Sequence, residues 1–156
     1  MRDELFSLLF ALDGIGQSPR YHPEGDALFH SLQVFELAHR SVSDPVLWAA
    51  ALFHDVGKAL SITNHAAIGA ELLRPYVSRD VYQILRTHQD FQGRHYYQHF
   101  GRDTNLRDQH RDQPWYALAE QFADEWDQVA FDPDAPTAPL EHFEPMVREV
   151  FARPIN

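Results

Sequence analysis

The stretch at 49–58, Ala-Ala-Ala-Leu-Phe-His-Asp-Val-Gly-Lys, constrains the fold and chemistry of this chain more than any other. Its apolar run predicts a buried helix that ends in the adjacent pair His54 and Asp55, and Gly57 then lets the backbone turn. An imidazole beside a carboxylate forms a ready pair of metal ligands, because one supplies a neutral nitrogen and the other a negative oxygen. Lys58, the only lysine of the chain, follows at once and could hold an anionic group close to such a metal. Taken alone, the pair is more simply explained as a buried histidine and its carboxylate partner at a helix end. The positions of the other histidines therefore decide whether a metal site is indicated.

The composition indicates a folded protein and narrows the range of partners. The chain has 156 residues, enough for one domain with a real core, and its formal net charge of −10 argues against broad binding to nucleic acid or to an anionic membrane. It has no cysteine, so disulfides and thiolate metal ligands are excluded. The sequence shows neither a signal peptide at its start nor an apolar run of about 18 residues, and we therefore expect a cytoplasmic protein without a membrane partner.

Apolar residues recur at helical spacing along most of the chain, and no segment alternates as a strand does. The predicted helices cover about 3–12, 27–41, 46–54, 65–73, 79–88, 115–127 and 140–152. Asp26, Asn64 and Ser78 are the expected N-caps of the second, fourth and fifth of these, and Pro145 is expected to disturb the start of the last. Residues 89–114 show no clean period and are predicted to form a long loop with short helical turns. The pattern predicts an all-α fold with its helices packed around one core.

Histidines and aspartates recur at the ends or on the inward faces of these predicted helices. The set comprises His30, His54, Asp55, His65, His88 and an aspartate at either 124 or 127. Four imidazoles and two carboxylates suffice for two divalent metal ions, with an aspartate able to bridge them. Each of these histidines by itself would more often be a core or surface residue. Their joint order along successive helices indicates a dinuclear metal site in the core of a helical bundle.

This set of residues resembles the HD-domain superfamily of metal-dependent phosphohydrolases. His30, the His54–Asp55 pair and the late aspartate carry the resemblance, and His65 and His88 match the two extra histidines of the dinuclear members. The segment Tyr-His-Pro-Glu-Gly-Asp at 21–26 resembles the lead-in to the HD module of bacterial tRNA nucleotidyltransferases.

The resemblance implies an all-α, single-domain HD-type helical bundle over residues 1–156, with a metal-binding core over about 20–127 and a C-terminal helical tail over 131–156. It also implies hydrolysis of a phosphate ester or a nucleotide by a metal-activated water. The expected cofactors are then two divalent ions, of Mn, Mg, Zn or Ni.

A second branch of the same superfamily, the mixed-valent di-iron oxygenases, uses the same ligand types. Its last ligand lies in an aromatic-Asp motif, and Asp127 follows a tryptophan here, which favours Asp127 over Asp124. In those oxygenases a lysine follows this aspartate by four residues, whereas this chain has Phe131. Tyr21 and Glu24 resemble a Tyr-x-x-Glu near the oxygenase iron site, and they serve equally well as a loop contact onto the first helix of the core. This branch implies two iron ions and cleavage of a C–C or C–P bond of a phosphonate or polyol.

The segment 86–111 is rich in arginine and aromatic residues, although the chain as a whole is acidic. Arginine suits a bidentate grip on phosphate, so this segment is either a substrate lid over the metal site or a solvated loop held by its aromatics. The predicted catalytic residues are Asp55 and Lys58. The predicted contacts to a small anionic or phosphorylated substrate are Lys58, Arg94, His95, Tyr21 and Glu24. A third interpretation is a non-catalytic HD module that binds a nucleotide, and the complete ligand set argues against it. The sequence leaves the oligomeric state open.

Overall fold

The computed structural model describes residues 2–155, and over this range the backbone is helical and forms no strand. The α-helices are α1 (Arg2–Phe10), α2 (Ala27–Ser41), α3 (Pro45–Phe53), α4 (His65–Leu73), α5 (Arg79–Tyr96), α6 (Tyr116–Gln121) and α7 (Leu140–Val150). Shorter 3-10 helices lie at Val56–Ala59, Tyr97–Phe100, Leu106–His110 and Asp127–Val129, and a π-helical segment lies at Phe122–Trp126. The predicted all-α fold is confirmed. Across 2–155, no helix is both long and apolar enough to cross a membrane.

Side-chain caps fix where several of the helices begin. Asp26 accepts a hydrogen bond from the backbone N–H of Phe29 at 2.8 Å, and Ser78 accepts one from Val81 at 3.2 Å, so both act as predicted. Asn64 occupies the predicted N-cap position of α4, but its side chain makes no capping hydrogen bond. The starts of α2, α4 and α5 therefore agree with the sequence, and two of the three N-cap side chains make the capping bond.

Helix α3 runs through the centre of the bundle and packs against α2, α5 and α7. Its alanines at 49–51 are buried, and their small side chains let the neighbouring helices approach closely. At its end, Phe53 makes edge-to-face contacts with Phe6 of α1 at 5.3 Å and with Phe151 at 5.2 Å. Because α3 is covered on most sides, the two residues that follow it are delivered into the interior and not to the surface.

The segment 89–114 is not the long loop that the sequence predicted. Helix α5 continues to Tyr96, since the buried Phe91 extends the apolar face of this helix by another turn. The buried guanidinium of Arg107 then anchors the rest of the segment, because it donates to both carboxylate oxygens of Asp124, each at 2.9 Å, and to the carbonyl oxygen of Phe91. This part of the chain is thus attached to α5 and to the π-helical segment.

The predicted helix at 115–127 is divided in the structure. Helix α6 ends at Gln121, and the π-helical segment and a 3-10 turn follow it, so the side chain of Asp127 emerges on a different face from that of a continuous α-helix. The last helix, α7, begins at Leu140 as predicted and runs through Pro145 to Val150. Pro145 therefore does not break the start of α7, contrary to the prediction.

Candidate metal centre

Four imidazoles and two carboxylates meet where α2, α3, α4 and α5 come together. They are His30, His54, Asp55, His65, His88 and Asp127. All six are buried, from 0% exposed for His30 and Asp127 to 6% for His65. Burying this many ionisable groups costs free energy unless they pair with one another or with a cation.

Asp55 lies in the middle of the cluster, and its two carboxylate oxygens face different partners. Its Oδ2 lies 3.4 Å from Nε2 of His54 and 4.0 Å from Nε2 of His30. Its Oδ1 lies 3.0 Å from Nε2 of His65 and 3.5 Å from Nε2 of His88. This arrangement suits a carboxylate that bridges two metal ions.

Asp127 completes one side of the cluster. Its Oδ1 lies 2.8 Å from Nε2 of His30 and 3.3 Å from Nε2 of His54. The cluster therefore contains two sets of atoms that could each hold a metal ion, and both sets include Asp55. The His30 position is formed by His30, His54, Asp127 and Oδ2 of Asp55, and the His65 position is formed by His65, His88 and Oδ1 of Asp55.

The hydrogen bonds around the cluster fit a metal pair. Each of its four histidines places Nδ1 against a backbone carbonyl: that of Ala130 at 2.9 Å for His30, Ala51 at 2.8 Å for His54, Ile62 at 2.7 Å for His65 and Leu85 at 2.7 Å for His88. A carbonyl oxygen only accepts, so Nδ1 carries the proton and Nε2 is directed into the cluster as a ligand. In addition, Nε2 of His54 and Oδ2 of Asp127 are buried and have no hydrogen-bond partner among the described residues.

The proximity of these groups shifts their pKa values. Burial lowers the pKa of His30, but its hydrogen bonds to Asp127 and Glu24 outweigh burial and raise this pKa to about 10. Burial raises the pKa of Asp55, yet the neighbouring charges of His54 and Lys58 hold it well below its ordinary value. A divalent ion at the His30 position would displace a proton from His30, and its uptake is therefore linked to pH.

A cavity of about 420 Å³ opens onto the cluster. It reaches His30, Asp55 and His65, and Lys58 lies beside them with Nζ 2.7 Å from Oδ2 of Asp55 and 2.7 Å from Oε1 of Gln17. The rest of its lining includes the amides of Gln17, Gln89 and Gln92 and the rings of Tyr21, Tyr96 and Phe100.

The structure separates the predicted substrate contacts into two groups. Lys58 and Tyr21 line the cavity. Glu24 lies behind His30 with a fully buried side chain, and Arg94 and His95 lie outside the cavity lining. Arg94 pairs with Asp108 at 3.7 Å. The cluster contains Asp127, whereas Asp124 binds Arg107 and His95.

Sequence reasoning missed the amide residues of the cavity, whereas it predicted Tyr21 as a substrate contact and placed Tyr96 and Phe100 in the candidate substrate lid. Gln89, Gln92 and Tyr96 follow His88 on one face of α5, and a prediction of α5 beyond His88 would have placed them beside the metal ligands. Gln17 and Phe100 lie outside the α-helices, and the periodicity of the sequence carries no signal for either.

The fold and the site define an all-α helical domain with a buried cluster of imidazoles and carboxylates that could hold metal. The model of the HD domain family matches residues 28–132, and the chain belongs to this family. The Multifunctional CCA protein of Hahella chejuensis is similar, at 36% identity over 83 residues, which covers 49% of this chain and 20% of the relative. That of Methylococcus capsulatus is 47% identical over 57 residues, or 36% of this chain and 13% of the relative. The matched region thus spans a fifth or less of these relatives.

Proposed function

We propose that this protein is a metal-dependent phosphohydrolase that acts on a small phosphate monoester. The observation that carries the proposal is the position of Asp55, whose two oxygens face two separate sets of imidazoles beside Lys58 and the cavity. Membership of the HD domain family supports the proposal, because the resemblance to this family implies hydrolysis of a phosphate ester by a metal-activated water.

The chain's residues would hold two divalent ions, one at the His30 position and one at the His65 position. Bound there, such ions lower the pKa of water toward roughly 7 and offset the negative charge of phosphoryl oxygens. The backbone carbonyls behind the histidines keep each imidazole oriented. Lys58 provides a cation at the cavity wall, where it can pair with a phosphoryl or leaving-group oxygen of the substrate.

The formal charge of the site favours a single phosphate group. Two divalent ions and Lys58 would bring five positive charges, and the carboxylates of Asp55, Asp127 and Glu24 would remove three, which leaves about two. A phosphate monoester carries about 1.5 to 2 negative charges at neutral pH and matches this excess. No arginine is among the residues that line the cavity, so a triphosphate would keep part of its charge unpaired.

The remaining lining indicates what the phosphate is attached to. Gln89 and Gln92 present amides, which both donate and accept hydrogen bonds, and the buried Nε2 of Gln17 has no partner among the described residues. The rings of Tyr21 and Phe100, with centroids 5.6 Å apart, give the cavity an aromatic wall. Uncharged donors and acceptors beside aromatic rings suit a nucleoside or polyol monophosphate.

The test is a metal analysis followed by a substrate panel. Protein purified without added metal is assayed by elemental analysis, then reconstituted with Mn²⁺ and given nucleoside and sugar monophosphates alongside the matching triphosphates. We expect phosphate release, with kcat/KM at least about tenfold higher for the monophosphates, since the unpaired charge of a triphosphate is costly. Turnover of none of these phosphates by fully loaded protein would contradict the proposal.

The two alternatives have their own outcomes in this experiment. About two irons per chain and consumption of dioxygen with a phosphonate or polyol would identify an oxygenase, since the same imidazole and carboxylate ligands suit iron. Binding of a nucleotide without turnover would identify a non-catalytic module.

A further inference from the structure

We propose that Glu24 is a positioning residue for His30 and that it makes the two metal positions unequal. The His30 position would bind a divalent ion first and tightly, and the His65 position would bind one second and more weakly. This inference rests on the metal-binding part of the proposed function and is independent of which reaction the metals serve.

Glu24 is placed directly behind His30. Its side chain is fully buried, and Oε1 lies 3.1 Å from Nδ1 of His30 and 2.9 Å from Nδ1 of His22. Gly25, at φ +111°, turns the chain immediately after Glu24, and Asp26 then caps α2, so the loop is fixed against the first turns of the helix that carries His30. A buried carboxylate is costly unless it accepts hydrogen bonds, and the two imidazoles provide them at Oε1, whereas the buried Oε2 has no hydrogen-bond partner among the described residues.

The same three residues do not form a third metal position, although His22, Glu24 and His30 have ligand atoms within 4.8 Å of one another. The carbonyl oxygen of Ala130 lies 2.9 Å from Nδ1 of His30. Because that oxygen can only accept, Nδ1 of His30 must carry a proton and has no lone pair to offer. Glu24 therefore acts on the metal through His30 and not as a ligand.

This carboxylate distinguishes one metal position from the other. Within residues 2–155, the structure places the carboxylate of Glu24 as well as the carbonyl of Ala130 against Nδ1 of His30, whereas Nδ1 of His54, His65 and His88 faces a backbone carbonyl. A carboxylate behind an imidazole makes its Nε2 a stronger donor to a metal than a carbonyl does. Glu24 consequently strengthens the His30 position alone.

One further observation favours the His30 position. It has Asp127 for itself, with Oδ1 at 2.8 Å from Nε2 of His30 and 3.3 Å from Nε2 of His54. The His65 position has two imidazoles and a single shared oxygen of Asp55. Both positions contain buried atoms that a metal ion would satisfy: Nε2 of His54 and Oδ2 of Asp127 in the first, and the facing Nε2 atoms of His65 and His88, 3.2 Å apart, in the second.

One contact acts in the opposite direction. Lys58 donates to Oδ2 of Asp55, which is the oxygen that faces the His30 position, and so weakens this oxygen as a ligand. Asp127 and Glu24 add two carboxylates on the same side, whereas Lys58 is a single cation. The net charge near the His30 position therefore stays more negative than that near the His65 position.

The experiment is a titration of the full chain, freed of metal by a chelator, with Co²⁺ alone, followed by calorimetry and by visible absorption. We expect the wild type to bind two ions in two steps, the first at least about tenfold tighter than the second. E24Q keeps an oxygen that accepts from His30 but loses the charge. It should weaken the first step about 10- to 100-fold, shift its absorption band and leave the second step within about threefold.

E71Q is the matched control, because Glu71 lies on the exposed side of α4 and bonds to Tyr82, and both steps should stay as in the wild type. H65A and H88A each remove a ligand of the His65 position and should abolish the second step while they retain the first. The inference is overturned if the wild type binds both ions with equal affinity, if E24Q leaves the first step unchanged, or if H65A removes the first step. If E24Q loses its cooperative unfolding transition, H65A and H88A decide which of the two positions binds the first ion.

A phosphatase assay on the same samples separates this inference from the proposed function. Two unequal binding steps that depend on Glu24, without any phosphate release, would support the inference and reject the phosphohydrolase. Phosphate release by a protein that binds both ions with equal affinity would support the phosphohydrolase and reject the inference.

Discussion

Nζ of Lys58 lies 2.7 Å from Oδ2 of Asp55, three residues earlier in the chain. The 3-10 helix Val56–Ala59 brings the two together, and Gly57 within it allows α4 to approach. A Cβ atom at Gly57 would lie 2.1 Å from the backbone oxygen of His65, a distance that no side chain can occupy. The sequence His-Asp-x-Gly-Lys thus joins both metal positions and the cavity cation, because its glycine lets the first residue of α4 pack against this turn.

The first prediction concerns this close approach. G57A should move α4 away from the turn, lower the free energy of unfolding by about 3 kcal/mol and weaken metal binding at the His65 position. G69A is the matched control, since a Cβ there would meet its nearest neighbour at an ordinary 3.5 Å and alanine favours a helix. Thermal unfolding and metal titration measure both variants. A G57A protein as stable as G69A would contradict the packing argument.

The second prediction separates two residues that the sequence proposed as substrate contacts. K58M keeps most of the side-chain stem but removes the cation at the cavity, and kcat/KM for a phosphate monoester should fall about 10²-fold with the metal content retained. R94M should stay within about threefold of the wild type, because Arg94 pairs with Asp108 outside the cavity lining. Equal losses in the two variants would show that the segment after α5 closes over the substrate after all.

The third prediction distinguishes the candidate ligands on the last segment of the metal-binding core. D127N should lose most of the metal at the His30 position, as should H54A and D55A, because D127N removes the negative charge of a candidate ligand and the other two remove the ligand group itself. D124N should keep its metal, since Asp124 instead binds Arg107 and His95. Elemental analysis after dialysis measures this. Full metal content in H54A or D55A would remove the basis of the metal site.

Three of the candidate ligands were accessible from sequence because local contacts orient them. His54, His65 and His88 each donate Nδ1–H to the carbonyl oxygen three residues earlier, within α3, in the turn before α4 and within α5 respectively. A histidine with such a partner is oriented by its own segment of the chain. The spacing of these residues is therefore sufficient to indicate where their Nε2 atoms point.

The features of the structure that could not be predicted from the sequence depend on contacts between distant segments. In the sequence, Arg107 belongs to the segment interpreted as either a substrate lid or a solvated loop. Its guanidinium is instead buried, because Asp124, 17 residues away, and the carbonyl of Phe91 accept its hydrogen bonds. Glu24 reads as a loop residue near the substrate, and its burial behind His30 depends on how the loop meets α2. Periodicity carries no information on either pairing.

The last prediction uses the pH dependence of the Asp124–Arg107 pair. The hydrogen bond from Arg107 lowers the pKa of Asp124 below its ordinary 3.8, and burial opposes this only in part. A carboxyl whose pKa is lower in the folded than in the unfolded state stabilises the fold fully above its unfolded pKa, and this contribution is lost as the pH falls through the folded value.

D124N leaves the buried Arg107 without its charged partner and should cost about 2 kcal/mol at pH 7, at the low end for such pairs because Asp124 is 34% exposed. The difference in unfolding free energy between wild type and D124N, measured by urea denaturation, should shrink as the pH falls below about pH 4. A difference that stays the same at low pH would mean that the carboxylate charge does not hold this segment onto α5.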